Sequence, residues 1–288
     1  MGRNSHEKIF AFRGHGIFVP CGMLCPERGS GGLPEQLVSA HALFTLADDQ
    51  RGIAMCMNNM GNVYMFMGEP SDAVALFDEA FSIYSAIGDT AGALQALANK
   101  AAALIREGRY EEAGAILEMA EKFAPGASGS CAPVLNNRGV LLTKLGKLGE
   151  AEKILKKALS CIDPDRLDHV ATVNASLGHL MKKEGRNKDA LAFFKKAYEA
   201  DRQAECLTAL ADDLASMSEC AISLGNYTDG IDWLKRSTKL YALTGKPIAA
   251  NNALKKLVSL AREQNMDITV TRHFVSQWLK EGGRDYCN

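Results

Sequence analysis

The feature that most restricts this chain is a pattern that returns about every 38 to 40 residues. Between Asn58 and Phe81, Gly61, Tyr64, Gly68, Ala73, Phe77 and Ala80 stand at steps of three, four, five, four and three. A single amphipathic helix has no need of small residues at such fixed places, whereas a helix hairpin does. The pattern recurs as Ala101, Leu104, Gly108, Ala113, Leu117 and Ala120, then as Gly139, Leu142, Gly146, Ala151, Leu155 and Ala158. A further copy is Gly178, Met181, Gly185, Ala190, Phe194 and Ala197. A worn copy follows with Ser218, Ala221, Gly225, Gly230, Leu234 and Ser237, and a sixth keeps Val258, Ala261 and Asn265. Counted this way, units begin near residues 54, 94, 132, 171, 211 and 251. A fixed period of this length means stacked supersecondary units rather than a single closed core.

Each recurring residue type has a physical reason. The eighth position of a unit is Gly61, Ala101, Gly139, Gly178, Ser218 or Val258, mostly small enough for two helices to approach closely. The fifteenth is Gly68, Gly108, Gly146, Gly185, Gly225 and then Asn265, the residues that best adopt the left-handed backbone after a helix end. The nineteenth is always acidic in the first five units, from Asp72 to Asp229, where a carboxylate offsets the positive end of a second helix. These acids read as architecture, with no catalytic role.

This arrangement resembles the tetratricopeptide repeat family, with glycine and an aromatic residue in the first helix and alanine and phenylalanine in the second. The resemblance runs from about residue 33 to 281. It departs in its period, longer than the family's usual 34 or so, and in lacking the family's tryptophan. Joints such as "GDTAG" at Gly88 to Gly92 are similar to those of the long-repeat branch, as in kinesin light chain and the G-protein-signalling modulators. The implied fold is all-α, a right-handed α–α superhelix of about six hairpins closed by a C-terminal capping helix. A half repeat at 33–48 precedes the first full unit, so that 33–288 forms one array.

The resemblance also implies a function. Members bind peptide segments of other proteins, and the first helices line a concave groove. Positions 2, 5, 6, 9 and 13 of a first helix share a face. At the sixth stand Asn59, Asn99, Asn137 and Ser176, an amide row suited to an extended backbone because each amide both donates and accepts. The competing reading is that these amides bond the next helix and fix the stacking angle. At the thirteenth stand Arg106, Lys144 and Lys183, reinforced by Lys182, a positive stripe suited to an acidic peptide. Cations in the last turn of a helix are favourable in any case. Asn62 and His179, at the ninth, complete the candidate peptide-binding set.

Composition narrows the alternatives. A net charge of −1 supplies no field for nucleic acid or anionic lipid. No apolar run approaches about 18 residues, so no membrane span is expected. Eight cysteines are scattered without a disulfide spacing, which points to a reducing, cytoplasmic setting. Cys56, Cys161 and Cys220 fall inside expected helices as small apolar residues.

Residues 1–32 form a glycine-rich leader with no helical period. The uncharged run Gly16 to Cys25 after Arg13 offers export or lipid anchoring as an alternative, but Pro20, Gly22 and Leu24 fit such a signal poorly. His15, Cys21 and Cys25 are the only candidate metal ligands that a rival, enzymatic reading could use. Their C-x3-C spacing is not a zinc spacing, so neither metal nor cofactor is expected. At the C-terminus, Val270, Phe274 and Trp278, flanked by Val275 and Leu279, form an apolar stripe. It reads as the face of a cap, with a homodimer surface or an internal groove ligand as the alternatives.

Overall fold

The computed structural model describes residues 33–123 and 131–280, and among these every regular element is an α-helix. A lone helix, α1 (Glu35–Leu46), precedes six hairpins. These are α2 (Gln50–Met67) with α3 (Pro70–Ala86), α4 (Thr90–Glu107) with α5 (Tyr110–Phe123), and α6 (Cys131–Lys144) with α7 (Leu148–Ser160). The others are α8 (Leu167–Lys183) with α9 (Asn187–Gln203), α10 (Leu207–Ser223) with α11 (Tyr227–Leu243), and α12 (Pro247–Glu263) with α13 (Thr269–Lys280). Each helix packs on its neighbours in sequence, which makes the array an α–α solenoid.

Except for α6, which begins at Cys131, the first helices start about a turn before the unit starts read from the repeat. In α2 and α4 the cause is visible: Asp49 and Asp89 are N-caps whose carboxylates accept from the amides of Gly52 and Gly92, both at 3.0 Å. The glycine of each joint is sterically required as well. A Cβ on Gly92 would lie 2.5 Å from the Tyr84 ring, and one on Gly52 would lie 2.3 Å from Phe44.

Inside the first, third and fourth hairpins, the glycine at position eight lies under the large residue of the second helix. A Cβ on Gly61 would come within 2.5 Å of Phe77, on Gly139 within 2.4 Å of Leu155, and on Gly178 within 2.7 Å of Phe194. Phe77, Leu155 and Phe194 are fully buried, and the alanines one turn to either side of each are buried with them. In the worn fifth unit Ser218 replaces the glycine. Its hydroxyl donates to the Gly230 carbonyl at 2.7 Å, on the second helix where the first four units carry alanine. The first helices then end as expected: Gly68, Gly108, Gly146, Gly185, Gly225 and Asn265 all have positive φ, from 51° to 88°.

Curvature follows from which backbones touch. Helices α2, α4, α6 and α8 pack successively on one another, and no comparable backbone packing joins α3, α5, α7 and α9. Second helices meet through long side chains, as where Arg236 lies over Tyr198 and donates to its hydroxyl, or Lys195 lies over Trp233. Over these four hairpins the closer side is concave and the first helices line it; at the C-terminal end α11 packs on α13 instead.

The helix α13 caps the array as expected, but with only part of the expected stripe. Thr271 and Val275 are buried, and Trp278 and Leu279 pack into the core of α11 and α12. Val270 and Phe274 are instead 66% and 44% exposed. Cys56 and Cys220 are buried free thiols, as expected, and Cys161 is half-buried. Cys206 is disulfide-bonded, which the scattered cysteine spacing does not signal.

Candidate peptide-binding groove

The side chains of the concave face divide into two groups according to their partners. In the first group, polar groups are already bound to the neighbouring unit. Asn99 on α4 donates to the Asn58 side chain on α2 at 3.0 Å, and accepts from Gln95 at 2.9 Å. Asn137 on α6 donates to the Ala98 carbonyl of α4 at 2.7 Å and accepts from Asn136 at 3.3 Å. The two amides therefore make equivalent links, 41 and 39 residues back along the chain.

The bases behave in the same way. Arg106 donates to the Met65 carbonyl in the last turn of α2, and Lys183 donates to the Thr143 carbonyl in the last turn of α6. Each thus caps the negative end of the preceding first helix, where a cation and a donor are both favourable. Lys182 is bound to Glu219 on α10, whose other oxygen accepts from Lys256 on α12 at 2.9 Å. Glu219 breaks the positive stripe, and its carboxyl stays below the usual range because hydrogen bonds from these two lysines outweigh its burial.

In the second group, polar groups have no partner on a neighbouring unit. Among the described residues, the side chains of Asn59, Asn62, Ser176 and Lys144 make no hydrogen bond or ion pair. Asn59 is only 7% exposed, Asn62 and Ser176 are half-buried, and Lys144 is exposed. His179 presents its ring edge to Phe194, with centroids 4.9 Å apart. The residue is exposed at the surface, and partial burial of its ring, then Lys182, hold its imidazole below the ordinary histidine value.

Two further features lie outside the sequence reading. Asp201 at the end of α9 and Asp213 on α10 are buried against each other, and Asp213 Oδ2 has no hydrogen-bond partner. Burial, and then the charge of Asp201, push the Asp213 carboxyl far above its ordinary value. The pair therefore holds a proton where free carboxyls would not. Lys246 reaches across from the start of α12 to the ring of Phe66 on α2. A contact between residues this far apart in sequence carries no periodic signal. No group of three or more histidine, cysteine or acidic side chains suited to a metal occurs among the described residues. His15, Cys21 and Cys25 lie outside them. No described helix is long and apolar enough to cross a membrane.

Comparison with known proteins agrees with this architecture. The tetratricopeptide repeat profile matches residues 52–125 and 130–203, just over half of the chain. No curated protein sequence matches. Among solved structures, BtubC (BKLC) from P. vanneervenii is similar with a TM-score of 0.53 and 18% identity, over 72% of this chain and 87% of that one. The structure of the APC/C hetero-tetramer Cut9–Hcn1 is similar with a TM-score of 0.57 and 15% identity, over 86% of this chain and 46% of that one. At these identities the likeness is one of fold.

Proposed function

The chain belongs to the tetratricopeptide repeat family, whose arrays are protein-interaction scaffolds, and we propose that its concave groove holds an extended segment of a partner protein. The observation that carries this reading is the set of uncommitted polar groups at Asn59, Asn62, Ser176 and Lys144 on a face where comparable residues are bound to neighbours. Amides left without partners on a half-buried face suit a peptide backbone, and Lys144 suits an acidic side chain of that peptide. Asn99, Asn137, Arg106 and Lys183 shape the groove and hold its curvature. The imidazole of His179 forms part of the wall.

The test separates these two groups. The variant Asn59→Ala, Asn62→Ala, Lys144→Ala is expected to keep the wild-type melting temperature and to lose a partner captured from native lysate. The variant Asn99→Ala, Asn137→Ala is expected to melt lower, because its links between units are gone. Retention of every wild-type partner by the first variant, at unchanged stability, overturns the groove reading.

One observation favours a second reading, self-association through α13. Val270 and Phe274 face outward, and Phe274 stacks on Trp278 with ring centroids 5.9 Å apart. Sedimentation would then show a concentration-dependent mass that Phe274→Glu abolishes. A mass that is constant across concentration removes this reading.

A further inference from the structure

Lys246 is the N-cap of α12 and makes no side-chain cap bond to its own helix. Its ammonium lies 5.5 Å from the Phe66 ring centroid and 5.9 Å from that of Tyr241. It is also 3.4 Å from Asp212 Oδ2. The Tyr241 hydroxyl donates to the other oxygen of Asp212 at 2.6 Å, which fixes the carboxylate in place. Two aromatic rings and one oriented carboxylate, here 60% exposed, can hold an alkylammonium or guanidinium group. All three come from helices other than α12: Phe66 from α2, Asp212 from α10 and Tyr241 from α11. The cradle is therefore complete without the lysine that fills it.

The geometry points to a cation-binding subsite, built from Phe66, Tyr241 and Asp212, that Lys246 occupies in cis and that a lysine or arginine side chain of a bound protein occupies in trans. It lies where the first full unit meets the fifth and sixth. A partner's basic side chain entering here releases Lys246, and with it the cation–ring contact that spans the array. This extends the groove reading by adding a basic residue to the partner's segment, at a point separate from Lys144. Only the partner's identity depends on that reading, because the cradle itself can be tested with a small cation.

The test uses the full chain and n-butylammonium, a lysine side chain without its backbone. Lys246→Ser vacates the cradle and places a favoured N-cap residue at the start of α12, so folding is retained. Saturation-transfer NMR should show n-butylammonium bound to Lys246→Ser about tenfold more tightly than to wild type, because the tethered lysine competes at high effective concentration. Neutral n-butanol should show no such difference, and adding Phe66→Ala to Lys246→Ser should remove the binding. Equal n-butylammonium affinity in wild type and Lys246→Ser overturns the proposal, as does binding that survives Phe66→Ala. Failure of the groove variants to lose a partner would leave these titrations unchanged, so the two readings fail independently.

Discussion

At the scale of single residues, the packing rule is a trade between position eight of the first helix and the large residue opposite it. Gly178 accommodates Phe194, and an added Cβ would sit 2.7 Å from that fully buried ring. Alanine is the better helix former by roughly 1 kcal/mol, but its Cβ would overlap a fully buried ring that must then shift. Gly178→Ala should therefore lower stability by a net of about 1–2 kcal/mol in denaturant unfolding. The second unit already uses the alternative pair, Ala101 with Leu117, both buried. Gly178→Ala combined with Phe194→Leu should then cost less than the sum of the two single changes. Strict additivity would mean that the two sites do not share one volume. This trade was legible in the sequence because it repeats. The use of each groove amide was not, since an asparagine at a given register can face either a neighbouring helix or a ligand. Asn99 and Asn59 occupy the same position in successive units, yet only Asn99 has a partner.

At the scale of the element, helix ends are set by backbone conformation more than by contact. Gly108 has φ +79°, and nothing lies within 4 Å of where its Cβ would be. Any penalty for replacing it is thus conformational. Asn265 fills the same place in the sixth unit with φ 51°. Gly108→Asn should cost less than about 1 kcal/mol, whereas Gly108→Val should cost clearly more, because a β-branched residue is disfavoured in left-handed backbone. Equal losses in thermal unfolding would show that a contact, and not φ, governs the position. The stops of the first helices were readable from sequence for this reason, glycine and asparagine filling all six, whereas Asp48 and Glu205 take the same backbone after α1 and α9 without such a signal. The inward face of α13 was harder to read. Its apolar residues cover more than one face, and the choice of Val275 over Val270 is decided by how α13 lies across α11 and α12.

At the scale of the whole molecule, a linear array is as continuous as its weakest joint. The α9–α10 joint buries Asp201 against Asp213, with the charges of Asp212 and Asp168 also near Asp201. Both carboxyls are raised above their ordinary value, burial being the main cause for each. A group whose folded pKa is raised contributes stability that is complete below its unfolded value of about 4 and is lost as pH climbs through the folded value. Above that value two buried carboxylates must face each other, and Asp213 Oδ2 has no donor to compensate it. The joint should therefore loosen on the alkaline side, and because each unit touches chiefly its neighbours, the loosening should remain local. Hydrogen exchange, corrected for its intrinsic pH dependence and compared at roughly pH 6 and pH 9, should show protection falling in α9 and α10 while α4 and α5 keep theirs. Asp213→Asn places a neutral amide beside Asp201 and should flatten that difference. A uniform loss across all units, or an unchanged pH response in Asp213→Asn, would place the sensitivity outside this pair.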